Sequence, residues 1–217
     1  MIKINNLSFS YNNIKPYMID NLNLHIENGS YVSIIGENGS GKTTIVKLIL
    51  DILKPIKGTI SINSKNIGYV PQKIDGFNSQ FPITVYEVLN VHRKTLKITD
   101  KKVIDESLKA VNMEKYKNSL IGGLSGGQQQ KIFIARAIMG QCDLLILDEP
   151  STALDEKSIS DLYKLIKHLN KLHNITILSI EHNIKMALEN SSHIYSMDNG
   201  NGVLYDIKEY KEKFDLN

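Results

Sequence analysis

The sequence predicts an α/β fold: a mostly parallel sheet with an antiparallel β region at the N-terminus and an inserted helical subdomain. Three observations lead there. Tyr31 to Ile35 is a short, mostly apolar strand that passes through a glycine-rich loop into a helical pattern from Lys42 to about Asp51. Leu144 to Leu147 and Thr176 to Ile180 are apolar runs separated by an amphipathic stretch from about Glu156 to Leu172, the order of a βαβ unit around a buried sheet. Between Pro71 and about Gly140 the pattern is helical, with no convincing strand.

The remaining elements follow in chain order. Ile2-Lys3-Ile4 and Leu22-Asn23-Leu24-His25-Ile26 alternate apolar with polar, the period of strands that bury one face, and they are expected to pair antiparallel. Lys54-Pro55 and Lys57-Gly58 break the chain before two further strands, Thr59 to Ile62 and Ile67 to Val70. Helical spacing then covers Thr84 to His92, Asp100 to Val111 and Gln128 to Met139. After Ile184 to Leu188, a hairpin joins Ile194 to Met197 with Val203 to Tyr205, turning at Asn199-Gly200-Asn201-Gly202. The expected organisation is one domain over 1–217: a core from 1–72 and 141–217, which includes the antiparallel region, and a helical subdomain over 73–140.

A chain of 217 residues, 41% hydrophobic and 23% charged, has the composition of a folded protein and not of a disordered one. Its net charge of +3, from 26 basic and 23 acidic residues, is too small for a nucleic-acid groove or a polybasic membrane anchor, so no nucleic-acid partner is expected. Cys142 is the sole cysteine, which excludes an intramolecular disulfide and fits a reducing compartment. The N-terminus has no signal-peptide pattern and reads as that of an unexported protein. No apolar run approaches the ~20 residues that cross a bilayer.

Gly36-Glu37-Asn38-Gly39-Ser40-Gly41-Lys42-Thr43 fits the phosphate-loop pattern G-x-x-x-x-G-K-[ST] at every fixed position, between a predicted strand and a predicted helix. Glycines let such a backbone turn its N–H groups inward, and the helix N-terminus adds partial positive charge. Lys42 is placed for the β- and γ-phosphates of a nucleoside triphosphate and Thr43 for Mg²⁺. Gly36, Asn38, Gly39, Ser40, Gly41, Lys42, Thr43 and Thr44 are thus candidate nucleotide contacts. A second constellation is Leu144-Leu145-Ile146-Leu147-Asp148-Glu149-Pro150, a buried strand ending in adjacent carboxylates. One carboxylate can hold Mg²⁺ through water while the other polarises the attacking water. Alone, Asp-Glu would read as a solvated acidic turn; the phosphate loop in the same chain decides for chemistry. Third, Leu124-Ser125-Gly126-Gly127-Gln128 opens a helix with the spacing of a capping box. Two glycines in a first turn weaken a helix, and a phosphate approaching the backbone would explain them.

Phosphate loop, Ser-Gly-Gly helix start and acidic strand end, in that chain order and with a helical stretch between the first two, resemble the ATP-binding cassette (ABC) ATPases, and the similarity covers essentially the whole chain. The resemblance implies that Tyr11, in Phe9-Ser10-Tyr11, stacks on adenine, a buried core tyrosine being the alternative. It implies that Gln72, in Tyr69-Val70-Pro71-Gln72, contacts Mg²⁺ and the attacking water and links core to helical subdomain. Ser125, Gly127 and Gln128 would contact the γ-phosphate bound to a second copy, and Ser151 to Asp155 would form the loop that crosses between copies. Glu149 matches the catalytic base, and His182 matches a histidine that contacts the γ-phosphate, the alternative being a structural histidine. Around His182 the sequence departs from the family: Glu181 precedes it where a small or hydroxyl residue is commoner, and Asn183 follows where aspartate is usual.

The same resemblance implies a homodimer closing head-to-tail over two ATP, separate integral-membrane permease subunits, an extracytoplasmic substrate-binding protein, and a peripheral place on the cytoplasmic face of the membrane. The segment from Gly76 to Val88, which contains Phe81-Pro82-Ile83-Thr84-Val85, and the region Ile121 to Lys131 are similar to zinc- and manganese-importer ATPases. Importers of cobalt, nickel, iron chelates or vitamins are the alternatives within the family, and a soluble ABC ATPase of translation or DNA maintenance is the alternative outside transport. His25, His92, His168, His173 and His193 have no metal-ligand spacing and read as surface or structural.

Overall fold

Period-two alternation puts Ile2 and Ile4 of β1 (Ile2–Phe9) and Leu22, Leu24 and Ile26 of β2 (Ile19–Ile26) into one buried layer, and a register shift after Ile4 brings Leu7 into it as well. The computed structural model describes residues 1–72 and 82–216. In it, β1 pairs antiparallel with β2 on one side and with β4 (Lys57–Ile62) on the other, Ile2 lying opposite both Ile26 and Ile62. Lys57 and Gly58 open β4 and do not precede it, at a register shift between Asn5 and Ser8 of β1.

The larger sheet has six strands in the order β5-β6-β7-β3-β8-β9. These are β3 (Tyr31–Gly36), β5 (Ile67–Val70), β6 (Leu144–Asp148), β7 (Thr176–Ile180), β8 (His193–Asp198) and β9 (Asn201–Asp206). All run parallel except β9, which returns antiparallel to β8. Every residue of β6 and β7 is buried, as expected for strands covered on both faces. Leu145 and Leu147 point into one cluster, with α4 (Gly126–Ala137) and α5 (Glu156–His173); Leu144 and Ile146 point into the other, with α1 (Lys42–Ile49) and the antiparallel sheet. The first cluster also takes Leu89 of α2 (Val85–Thr95) and Leu108 of α3 (Lys102–Ala110), so the inserted helices share a core with the sheet. Because β3, β6 and β7 are parallel, the segments that follow them leave the same edge of the sheet, the usual ligand edge of an open α/β fold.

Two elements differ from expectation. The last hairpin turns on two residues, Asn199 and Gly200 at φ +45° and +77°, because a type I′ turn needs positive φ at both centres; Asn201 and Gly202 lie in β9. A C-terminal helix, α7 (Ile207–Lys213), follows β9 directly and starts on a capping box between Asp206 and Glu209, after α6 (Ile184–Asn190) earlier in the chain. Among the described residues no helix is long and apolar enough to cross a membrane.

Candidate nucleotide-binding site

The phosphate loop runs from Gly36 at the end of β3 to Lys42 at the start of α1. Gly39 and Gly41 sit at φ +83° and +104°, left-handed values that cost most side chains energy, and Gly41 is the N-cap of α1 without any side-chain cap bond. The N–H groups of the first turn are therefore open to an anion. Lys42 is buried, and its ammonium donates to the carbonyls of Gly36 at 2.8 Å and Glu37 at 2.9 Å. Burial lowers its pKa, and the charges of Glu149 and Asp148 oppose that shift, which puts both carboxylates in the field of the lysine. Ser40 is buried, with a hydroxyl that has no partner among the described residues; Asn38 and Thr43 are exposed and Thr44 is buried.

Tyr11 is 62% exposed, which removes the buried-core alternative. Its ring stands edge-on to Phe9, and its hydroxyl lies 3.1 Å from the Thr44 hydroxyl, so α1 holds it beside the loop.

At the end of β6 the two carboxylates part. Asp148 is buried; its Oδ2 accepts from the Tyr69 hydroxyl at 3.5 Å, and its Oδ1 has no partner among the described residues. Burial, and then the charge of Glu149, raise the Asp148 carboxyl, while the Tyr69 hydrogen bond opposes the shift. Glu149 has φ +51°, a left-handed turn unusual for glutamate, stabilised by N–H donation to the Ile180 carbonyl and by the Thr152 N–H on its own carbonyl, each at 3.2 Å. That turn aims its carboxylate at three donors. Oε1 lies 2.5 Å from His182 Nε2, and Oε2 accepts from Gln72 Nε2 and from the Thr152 hydroxyl. Gln72, Glu149 and His182, chosen from distant parts of the sequence, thus meet at one point. The contacts of Tyr69 with Asp148 and of Thr152 with Glu149 go beyond the sequence, which places Tyr69 only in the Gln72 segment and Thr152 only in the loop between copies; nearness in sequence to Gln72 and Glu149 is the one signal for them. Burial and Asp148 push the Tyr69 phenol up to about 12, so it stays a donor.

The second glycine-rich helix start forms a separate patch. Ser125 and Gln128 close a full capping box on α4, and Gln128 Nε2 also donates to the Tyr116 hydroxyl at 2.8 Å. A Cβ at Gly127 would lie 2.7 Å from Ser158 Oγ and 2.8 Å from Ser158 Cβ. Packing against the first turn of α5 therefore requires this glycine inside one chain, a reason the sequence reading did not include. Asp155 N-caps α5, accepting from the Ser158 N–H and hydroxyl, and these bonds hold its carboxyl below the usual range. Among the described residues no hydrogen bond joins Ser125, Gly127, Gln128 or Asp155 to the residues around Lys42.

In the segment Gly76 to Val88, residues 76–81 lie outside the described residues; Thr84 N-caps α2 in a capping box with Glu87. Among the described residues, no group of three or more His, Cys, Asp or Glu is arranged to hold a metal by itself.

Comparison with known proteins gives the chain its family. A family model described as ABC transporter matches residues 19–152. The chain is 42% identical to a "Probable metal transport system ATP-binding protein" of Treponema pallidum, covering 98% of this chain and 89% of that one. It is 39% identical to the "High-affinity zinc uptake system ATP-binding protein ZnuC" of Bacillus subtilis, over 84% of each chain. Among solved structures, a dimeric ATP-binding cassette in a post-hydrolysis state with ADP and Pi superposes with a TM-score of 0.80 at 28% identity, covering 95% of this chain and 99% of that one. With a phosphate loop, an acidic strand end and a capped Ser-Gly-Gly helix on one scaffold, the chain belongs to the ABC transporter family, as an ATP-hydrolysing cassette.

Proposed function

We propose that this cassette powers the import of a transition metal, zinc or manganese, through separate membrane permease subunits. The observation that carries the substrate class is the near full-length identity to relatives named for metal transport and zinc uptake. In this reading the metal never touches the chain. The cassette sits on the cytoplasmic face of the membrane, works as a homodimer, and serves a permease fed by an extracytoplasmic binding protein. The core comprises 1–72 and 141–217, and 73–140 form the helical subdomain that senses the permease.

Lys42 exchanges its bonds to the Gly36 and Glu37 carbonyls for the β- and γ-phosphates, and the uncapped N-terminus of α1 receives the same phosphates. Gly36, Asn38, Gly39, Ser40, Gly41, Thr43 and Thr44 complete that cradle, and the exposed ring of Tyr11 takes the adenine. The residues present fit Mg²⁺: Asp148 offers a buried oxygen with no partner among the described residues, and Thr43 and Gln72 carry the neutral oxygens that would share in holding the ion. When bound, the ion would neutralise charge on the phosphates. Glu149 accepts the proton of the attacking water, while Gln72 and His182, both already in contact with its carboxylate, orient water and γ-phosphate. Ser125, Gly127 and Gln128 of a second copy close over the γ-phosphate, with Asp155 in the loop between copies, so hydrolysis releases the pair. The separation of the Ser125 patch from the Lys42 patch within one chain supports a shared site.

Uptake of radiolabelled zinc and manganese in a strain lacking this gene tests the assignment. Complementation by the wild type, and none by Glu149→Gln, is the expected result; normal uptake of both metals in the deletion strain would refute it.

A further inference from the structure

Glu181 is 1% exposed, yet nothing in the chemistry above uses it. It follows β7 directly, one residue before His182. Its Oε1 accepts from the Ser179 hydroxyl and its Oε2 from the Tyr163 hydroxyl, each at 2.5 Å. Tyr163 stands on α5, and its hydroxyl also lies 3.2 Å from Ser151 Oγ, in the loop between β6 and α5 that leads to Asp155. The Tyr31 hydroxyl of β3 is buried beside Ser179 and Glu181 without a hydrogen bond of full geometry. An apolar residue would fill this place between sheet and helix with no desolvation cost, so a buried carboxylate here calls for a reason. The connectivity offers one: a continuous polar chain, Ser179–Glu181–Tyr163–Ser151, ties the strand end that bears His182 to the loop that begins two residues after Glu149.

We propose that Glu181 is a positioning residue for ATP hydrolysis, holding His182 against Glu149 and the 151–155 loop in one register through Tyr163 and Ser151. This rests on the reading of Glu149 and His182 given above. Two discrete hydrogen-bond arrangements are available to the chain. With Glu181 ionised, Tyr163 donates to it and accepts from Ser151; with Glu181 protonated, it can donate to Tyr163, whose hydroxyl then turns to Ser151. Burial pushes the carboxyl up to about 7, against the two hydroxyl bonds and the charge of His182, while the charge of Glu149 adds to the rise. Tyr31 and Tyr163 are the other titratable groups facing it; burial and Glu181 itself keep both phenols protonated.

The test measures steady-state ATP hydrolysis and ATP binding by the purified full chain, at concentrations where the wild type turns over, for Glu181→Leu, Glu181→Gln, Tyr163→Phe and Glu149→Gln. Expected are losses in kcat of about tenfold for Glu181→Leu and Tyr163→Phe with KM for ATP within about twofold, the size of effect seen for residues that couple through a network. Glu181→Gln, which can still accept from one hydroxyl and donate to the other, recovers most of kcat but loses a wild-type inflection in kcat near pH 7. Should Glu181→Leu fail to fold, Tyr163→Phe, which removes only the hydroxyl, decides the matter. Wild-type kcat in Tyr163→Phe and in any folded Glu181→Leu, beside an inactive Glu149→Gln, overturns the positioning role alone. Wild-type turnover by Glu149→Gln overturns the reading of the site itself and the positioning role with it.

Discussion

His182 Nε2 lies 2.5 Å from Glu149 Oε1, across the ends of two neighbouring parallel strands. The left-handed φ of Glu149 makes that contact possible, because an extended residue after Asp148 would carry its side chain elsewhere. The outlier is held on both sides by backbone hydrogen bonds, from the Glu149 N–H to the Ile180 carbonyl and from the Thr152 N–H to the Glu149 carbonyl, which offset its cost.

Glu149→Gln keeps the shape and an acceptor for His182 but removes the carboxylate proposed as the base. Hydrolysis should fall by about 10² to 10⁴-fold while ATP affinity changes little. Phosphate release and a nucleotide titration on the same preparation check this, and turnover at the parental rate would remove Glu149 from the mechanism.

Lys42→Ala deletes a buried ammonium whose present partners are two loop carbonyls. Each charge-assisted bond is worth roughly 1.5 to 3 kcal/mol, so ATP affinity should drop by about 10 to 100-fold. Calorimetric titration measures it; unchanged affinity would place the phosphates away from this loop.

Gly127 separates packing from phosphate contact. Gly127→Ala must displace Ser158, so it should destabilise the chain by about 1 to 2 kcal/mol even though alanine favours helix. Adding Ser158→Gly should restore much of that stability in a denaturant melt. If hydrolysis stays low in the stabilised double variant, the glycine also serves the γ-phosphate of a second copy; full activity would confine it to packing.

Ser125→Arg places a bulky cation at the helix start where the serine now caps α4. Loss of the cap costs about 1 kcal/mol. Beyond that, ATP binding by the lone chain should persist, while nucleotide-dependent dimerisation, followed by gel filtration, and hydrolysis both disappear. A variant that dimerises and hydrolyses normally would contradict a site shared between copies.

Glu181 sets a pH dependence of stability with a definite sign. Its carboxyl moves from an ordinary 4.5 up to about 7 on folding, so between those values the folded chain holds a proton that the unfolded chain has released. The group's contribution is complete below about pH 4.5, falls as pH rises, and is gone above about pH 7, a span of roughly 3 kcal/mol. Denaturant melts of the wild type and Glu181→Gln from pH 4.5 to 8 should converge at low pH and separate at high pH in favour of the glutamine variant. Parallel curves would show that the carboxyl is not perturbed.

The phosphate loop, the acidic strand end and the Ser-Gly-Gly helix start were legible because each chemistry needs consecutive residues at fixed spacing, and the same holds for the strand and helix periods that gave the α/β class. What local pattern cannot express is which side chains from different elements converge. The order β5-β6-β7 brought Gln72, Glu149 and His182 to one sheet edge and set Tyr69 and Thr152 beside their carboxylates, while the turn after β1 left Tyr11 exposed. Tertiary packing also gave Gly127 a reason inside its own chain, and turned Glu181 from a departure in a motif into a buried carboxylate bonded to α5. A hydrogen bond or a close approach is a relation between atoms far apart in sequence, and only the closed fold fixes those distances.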